Sequence, residues 1–358
     1  MSAEGGLMKS AGSRFFPSLP SALLPALAAL ALASNALSAV PGQAQIGGAA
    51  HDPLKVVGPE KCGECHKSEL AAWQKTHHAN TFLEMHRKPE AAEIVKKLGG
   101  KRIKQNEHCL QCHYTQGLKE GEPAALWGVT CESCHGQAKE WIDVHNDYGG
   151  KGSKKETETT EHRKLRLEKT SATGMIRPAD TYHAAANCYS CHTVPDEDLV
   201  NKGGHKARSD FDLVSWSQGE VRHNYFYSAD KKNREASPAH KRVLYVTGKG
   251  LDLEYSLRAA AKATSGGPFV DNAAKSAASA LAKLKEVQAA QPIPEVAEMI
   301  SAGLGATVKA GNAAGLNKAA EAVGAANQKF GKGNDGSKLS ALDKLVPAAS
   351  SYKGTAQP

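Results

Sequence analysis

The cysteine pattern constrains this chain more than any other feature. All eight cysteines fall into four pairs, Cys62/Cys65, Cys109/Cys112, Cys131/Cys134 and Cys188/Cys191, and a histidine follows each pair at once: His66, His113, His135 and His192. In Cys-x-x-Cys-His the two thiols stand one helical turn apart, where they can form thioethers with the two vinyl groups of one haem, and the adjacent histidine reaches the iron. Zinc ribbons also use Cys-x-x-Cys. A zinc reading leaves unexplained why histidine follows every pair and why no cysteine stands outside the pattern. The expectation is four covalently bound c-type haems, held by eight thiols and four proximal histidines.

The N-terminus supports an oxidising destination. Lys9 and Arg14 precede a Leu/Ala stretch from Leu19 to Leu32, and small residues follow with cleavage points after Ala36, Ala39 or Ala44. That order is a secretory leader, expected over residues 1–44, with Met8 as a second possible start. The apolar stretch is interrupted by Pro20 and Pro25 and falls short of the ~20 residues of a membrane span, so cleavage and a periplasmic or otherwise exported product are expected. The formal net charge is +8. Haem propionates would offset much of it, so no nucleic-acid partner is implied.

Residues 54–227 hold every motif, a density near one haem per ~40 residues, which leaves room only for short helices and loops. Aromatic residues make up only 6% of the chain, so cofactors must supply part of the core. The mixed-charge run from Gly149 to Lys169 reads as a solvated loop or exposed helix end. Residues 228–250 read as a linker. From 251 to 331 the chain is rich in Ala, Leu, Lys and Glu, with amphipathic helices expected over Asp271–Gln291, Pro294–Ala302 and Ala313–Phe330, punctuated at Gly266, Gly267, Pro268, Pro292 and Gly331. Residues 332–358 read as a disordered tail. The fold class is mainly α: short helices and loops around haems, then an Ala-rich helical zone.

Second axial ligands are the next question. Beyond the leader only Met85, Met175 and Met299 remain, whereas eleven histidines lie outside the motifs, so mostly bis-histidine, low-potential haems are expected. His78 follows His66 by twelve residues across a helical stretch. On a continuous helix that is ~18 Å, whereas axial nitrogens of one iron lie ~4 Å apart, so His78 must serve another haem. His145, ten residues after His135, meets the same objection unless Gly136 breaks the helix.

The stretch Lys61–Met85 (KCGECHKSELAAWQKTHHANTFLEM), the CLQCH motif at Cys109, GVTCESCHG at Gly128–Gly136 and YHAAANCYSCH before His192 together resemble the tetrahaem cytochrome c-554 family, associated with ammonia oxidation, over roughly residues 54–227. The resemblance implies that His78, after Trp73 and Thr76, is the distal ligand of the third haem and His145 that of the first. It implies a downstream distal ligand for the fourth haem, His223 within Phe211–Tyr225, with His205 as a rival. It also implies a five-coordinate second haem, on Cys109, Cys112 and His113, which His77, His86, His108 or His183 could close.

Two functions follow. The first is an electron carrier with a redox protein donor and acceptor and no catalytic residue. The alternative is a redox enzyme acting on nitric oxide, nitrite or hydroxylamine at an open second haem. The C-terminal helices read equally as a docking module or a helical cap.

Overall fold

Short helices dominate the cysteine-rich half because capping residues and prolines recur every few positions. The computed structural model describes residues 52–226, 228 and 230–358; the expected leader lies outside them. Pro59 opens α1 (Pro59–Gly63), His66 precedes α2 (Lys67–Trp73), and the Thr76 hydroxyl accepts from the Ala79 N–H to start α3 (His77–Glu84). The helix expected to run unbroken through Ser68–Asn80 is therefore two helices. Next come α4 (Pro89–Lys97) and α5 (Glu107–His113), the latter capped by Asn106.

A feature not expected from the sequence follows. Strands β1 (Thr115–Lys119) and β2 (Glu122–Trp127) pair antiparallel, with Lys119 opposite Glu122. Glu120 and Gly121 between them both have positive φ, the twist a two-residue hairpin loop requires. Beyond the hairpin lie α6 (Cys131–His135), α7 (Thr160–Ala172), α8 (Thr181–His192), α9 (Glu197–Asn201) and α10 (Leu213–Ser217).

The C-terminal zone is a four-helix bundle of α11 (Pro238–Lys262), α12 (Pro268–Ala290), α13 (Pro294–Leu304) and α14 (Ala313–Gly333). The last three match the amphipathic segments read from the sequence. The first begins inside the stretch read as a linker. Its buried residues run around the whole helix from Val243 to Ala260, so it lacks the one-sided periodicity that marks a surface helix. Of residues 332–358, expected to be a disordered tail, the first two complete α14 and residues 334–358 pack along this half. Leu339 and Leu342 enter the core, and Lys353 exchanges backbone hydrogen bonds with Ser215 (3.0 Å) and Glu220 (2.8 Å).

One large apolar core fills the bundle and continues through Tyr182, Ala186 and Tyr189 of α8. A second, small cluster of Val95, Ile103, Cys109 and Tyr114 lies under the second motif. Apolar side chains thus brace the second and fourth motifs. Among the described residues no helix is long and apolar enough to cross a membrane.

Candidate haem-binding site

Each motif is a single helical turn. The first closes with the His66 N–H donating to the Cys62 carbonyl (2.9 Å), the second ends α5, the third is α6, and the fourth ends α8. The motifs are also neighbours. The Cys62 and Cys131 thiols adjoin, as do those of Cys112 and Cys191, and the Asn187 amide donates to the carbonyls of Ser133 (3.0 Å) and Cys134 (2.9 Å). Loss of solvation pushes the Cys109 and Cys134 thiols up to about 11, so neither is the ready thiolate of a reactive cysteine.

Every motif histidine faces a histidine from elsewhere in the chain. Ring centroids are 6.4 Å apart for His66 and His145, 6.4 Å for His113 and His205, 6.1 Å for His135 and His223, and 6.2 Å for His192 and His78. Two metal–nitrogen bonds of about 2 Å, with about 1 Å from each nitrogen to its ring centre, give a separation of about 6 Å. Four ring pairs therefore have room for one iron each. Among the described residues no three His, Cys, Asp or Glu side chains converge as a zinc site needs.

Tautomers follow from the outer contacts. Nδ1 lies against the Ile176 carbonyl in His135 (3.2 Å), that of Ile142 in His145 (2.5 Å), that of Lys206 in His205 (2.8 Å) and that of Val221 in His223 (2.7 Å). A carbonyl can only accept, so Nδ1 carries the proton and Nε2 keeps its lone pair. In His192, Nδ1 meets the Ser209 hydroxyl at 2.7 Å. Burial lowers the His113, His135 and His192 imidazoles to about 4 and depresses those of His78 and His145, so these rings are neutral near pH 7.

Two expected pairings are corrected. His78 stands opposite His192 of the fourth motif rather than His135 of the third, because the break before Thr76 turns α3 so that His78 lines the same cavity as His192. His223 stands opposite His135 rather than His192. Within Phe211–Tyr225, α10 stops at Ser217, short of His223, and the following turn is held by Asn233, which donates to the Arg222 carbonyl (2.7 Å). His145 faces His66, and Gly136 does end α6, with φ of 85°. A Cβ at Gly136 would lie 2.0 Å from the Gly174 carbonyl oxygen, so glycine is required there on both counts. Three of the histidines outside these pairs turn elsewhere: His77 to Glu220 (2.8 Å), His108 to Asp196 (2.5 Å) and His183 to Asp180 (2.7 Å).

The eight thiols do not share one setting, and Cys65 differs most from its motif partner. It is exposed, whereas its motif partner Cys62 is half-buried and adjoins Cys131. Cys134 is also exposed, but it opens onto the large cavity described below, and Cys65 lies outside that cavity. The reason is local. α1 ends at Gly63, and Cys65 sits in the turn beyond it, tied only by its N–H to the Cys62 carbonyl (3.3 Å), so no second segment covers its thiol. The structure therefore gives Cys65 no enclosing wall, and its place as a haem-binding residue rests on its spacing from Cys62 and His66. A haem attached there would have one edge at the surface.

Several positioning residues carry no mark in the sequence. Glu132, inside the third motif and 1% exposed, accepts from the N–H groups of Val57 (3.0 Å), Gly58 (2.8 Å) and Ala138 (2.8 Å), tying the approach to the first motif onto the third. The mixed-charge run is more than a solvated excursion. Arg166 is buried, binds Glu158 through two nitrogens (2.7 and 2.6 Å) and donates to the His145 carbonyl (2.8 Å). Thr81 bridges the carbonyls of His78 and His113, each at 2.8 Å. A charge-pair pattern eight residues apart could have flagged Glu158 and Arg166; nothing local flags Glu132.

A haem fits this lining. A cavity of about 810 Å³ runs between the second, third and fourth motifs and is lined by Cys109, Cys112, Cys134, Cys188, Cys191 and the rings of His78, His113, His192 and His205. The buried Tyr114 hydroxyl and Trp141 indole N–H, adjoining the His113 and His145 sites, lack a protein partner. A group bearing polar substituents on an apolar body would supply both the missing core and those acceptors.

The family model for cytochrome c554 and c-prime matches residues 61–136, which contain the first three motifs. Over this segment the chain is similar to the cytochrome c-554 family. Cytochrome c-554 of Nitrosomonas europaea is 29% identical over 143 residues, 38% of this chain and 56% of that protein. The chain thus spans about half the length of that relative. Dissimilatory sulfite reductase MccA of Wolinella succinogenes is 50% identical over 30 residues, 8% of this chain and 4% of that protein. No solved structure matches. The family-model match ends at Gly136, so the fourth motif and the bundle lie beyond the residues that model covers.

Proposed function

We infer that the chain is an exported tetrahaem c-type cytochrome that carries electrons between redox protein partners. The supporting observation is the set of ring pairs His66–His145, His135–His223 and His192–His78, each joining a motif histidine to a distant one at 6.1–6.4 Å. Haem c, when bound, supplies one-electron iron chemistry at each motif, and ligation by two imidazoles keeps its potential low. Facing neutral imidazoles would hold a haem iron from both sides, which would leave no position for a substrate. Residues behind the rings fix their tautomers, and the apolar walls limit water.

The motifs touch in the spatial order first, third, fourth, second: Cys62 adjoins Cys131, Asn187 ties the third motif to the fourth, and Cys112 adjoins Cys191. A continuous run of neighbouring redox sites suits carriage of electrons across the protein. The leader-like N-terminus supports export. The bundle acts as a buttress, since its core continues into α8.

The test is intact mass of protein made in a host competent for cytochrome c maturation. The expected mass exceeds that of the processed chain by four haems, which survive acid and organic extraction. A colourless product, or a mass fitting zinc, would refute the reading.

A further inference from the structure

The second motif departs from the pattern its family resemblance implies. His113 was expected to lack a partner, yet the His205 ring stands across from it at 6.4 Å, within the range of the other three pairs. We propose that His205 is the second axial ligand of the iron held by His113, so that the resting protein has no open haem. This rests on the four-haem reading above.

The ring is placed by its backbone and by its own loop. Gly204, with φ of 78°, turns the chain after α9, and the His205 N–H donates to the Leu199 carbonyl (3.1 Å). Nδ1 is turned back to the Lys206 carbonyl, which leaves Nε2 as the coordinating atom. The loop is then clamped to the bundle. Three residues on, Arg208 pairs with Asp252 and reaches Ser256 (3.4 Å), both on α11, and Asp212 pairs with Lys249 of the same helix (2.9 Å). Between these anchors Ser209 holds His192 through its Oγ. One short loop thus presents a ligand to the second site, orients the ligand of the fourth, and is fixed by α11, which lies beyond the residues the family model matches. Arg208 is a positioning residue in this scheme: it acts through His205.

The experiment is performed on the purified holoprotein, with the haem count per chain taken first by intact mass. Fewer than four haems would overturn the underlying reading, and the proposal with it. With four present, the unaltered protein is expected to show only low-spin ferric haem by paramagnetic resonance and to bind no carbon monoxide when reduced. His205→Ala should keep four haems, convert one to high-spin and bind one carbon monoxide per chain. His205→Met should return that haem to six-coordination at a raised potential. Arg208→Ala should let carbon monoxide reach one site in part of the population; unchanged exclusion would overturn the clamp. One high-spin haem and one carbon monoxide site in the unaltered protein, unchanged in His205→Ala, would overturn the proposal and restore an open iron for nitrogen chemistry. Should His205→Ala fail to fold, the unaltered protein's spin state alone decides.

Discussion

At the scale of single residues, the site depends on groups that hold the ligands from behind. Glu132 is the sharpest case because three backbone N–H groups from two separate segments converge on one buried carboxylate. Burial pushes its carboxyl up against the pull of those donors. Removing it strands buried donors, which costs more than the bonds themselves contribute. Glu132→Ala should destabilise the protein by about 2–4 kcal/mol, measured by denaturant unfolding, and should make the segment before Cys62 the first to be cut by protease. An unchanged unfolding midpoint would mean that the carboxylate is dispensable. Gly128 shows the same economy of space, since a Cβ there would lie 2.3 Å from the His78 carbonyl oxygen.

At the scale of elements, α8 and α9 join the haem-binding half to the bundle. Tyr189, inside the fourth motif and fully buried, donates its hydroxyl to the Gly248 carbonyl of α11 at 2.9 Å. Tyr189→Phe should cost about 1 kcal/mol for the lost hydrogen bond, and Tyr189→Ala about 3–5 kcal/mol for the emptied volume as well. Equal costs for the two would show that packing contributes nothing there. In the first turn of α9, Glu197 accepts from the Thr264 N–H (2.8 Å) and hydroxyl (2.8 Å) and from the Ser265 N–H (3.1 Å) and hydroxyl (2.7 Å). The Thr264 N–H leads in holding its carboxyl down at about 2. A depressed carboxylate stabilises the fold above its unfolded value of about 4.3 and loses that contribution as pH falls toward about 2. Glu197→Gln should therefore lower the thermal midpoint at pH 6 and make no difference near pH 2. A midpoint gap that persists at the acid end would locate the effect elsewhere.

At the scale of the whole molecule, the two halves are stabilised differently. The bundle has its own apolar core, whereas the cysteines of the first and third motifs lie outside both apolar clusters. Changing Cys131 and Cys134 to Ala should leave residues 54–227 sensitive to protease while helical circular dichroism from α11 to α14 persists. Native protease resistance in that variant would mean that haem is peripheral to the fold. What the sequence by itself determined here is local: four one-turn Cys-x-x-Cys-His units, since a turn needs only its own residues, and the helices α12 to α14, whose polar faces leave a period to read. Gly136 as a helix end was legible for the same reason. Tertiary structure alone decided the rest. The spacing treats Cys65 and Cys134 alike, and only the packing of other segments leaves one at the surface and the other on the cavity. His78 meets His192, His223 meets His135 and His205 meets His113 because helix breaks and hydrogen bonds between distant segments aim the rings. The helix α11 and the terminal segment were hidden because one is surrounded by apolar neighbours on every side and the other gains its order from Ser215 and Glu220, far away in sequence. A ring's direction depends on every turn of chain between it and its partner, and no spacing rule carries that far.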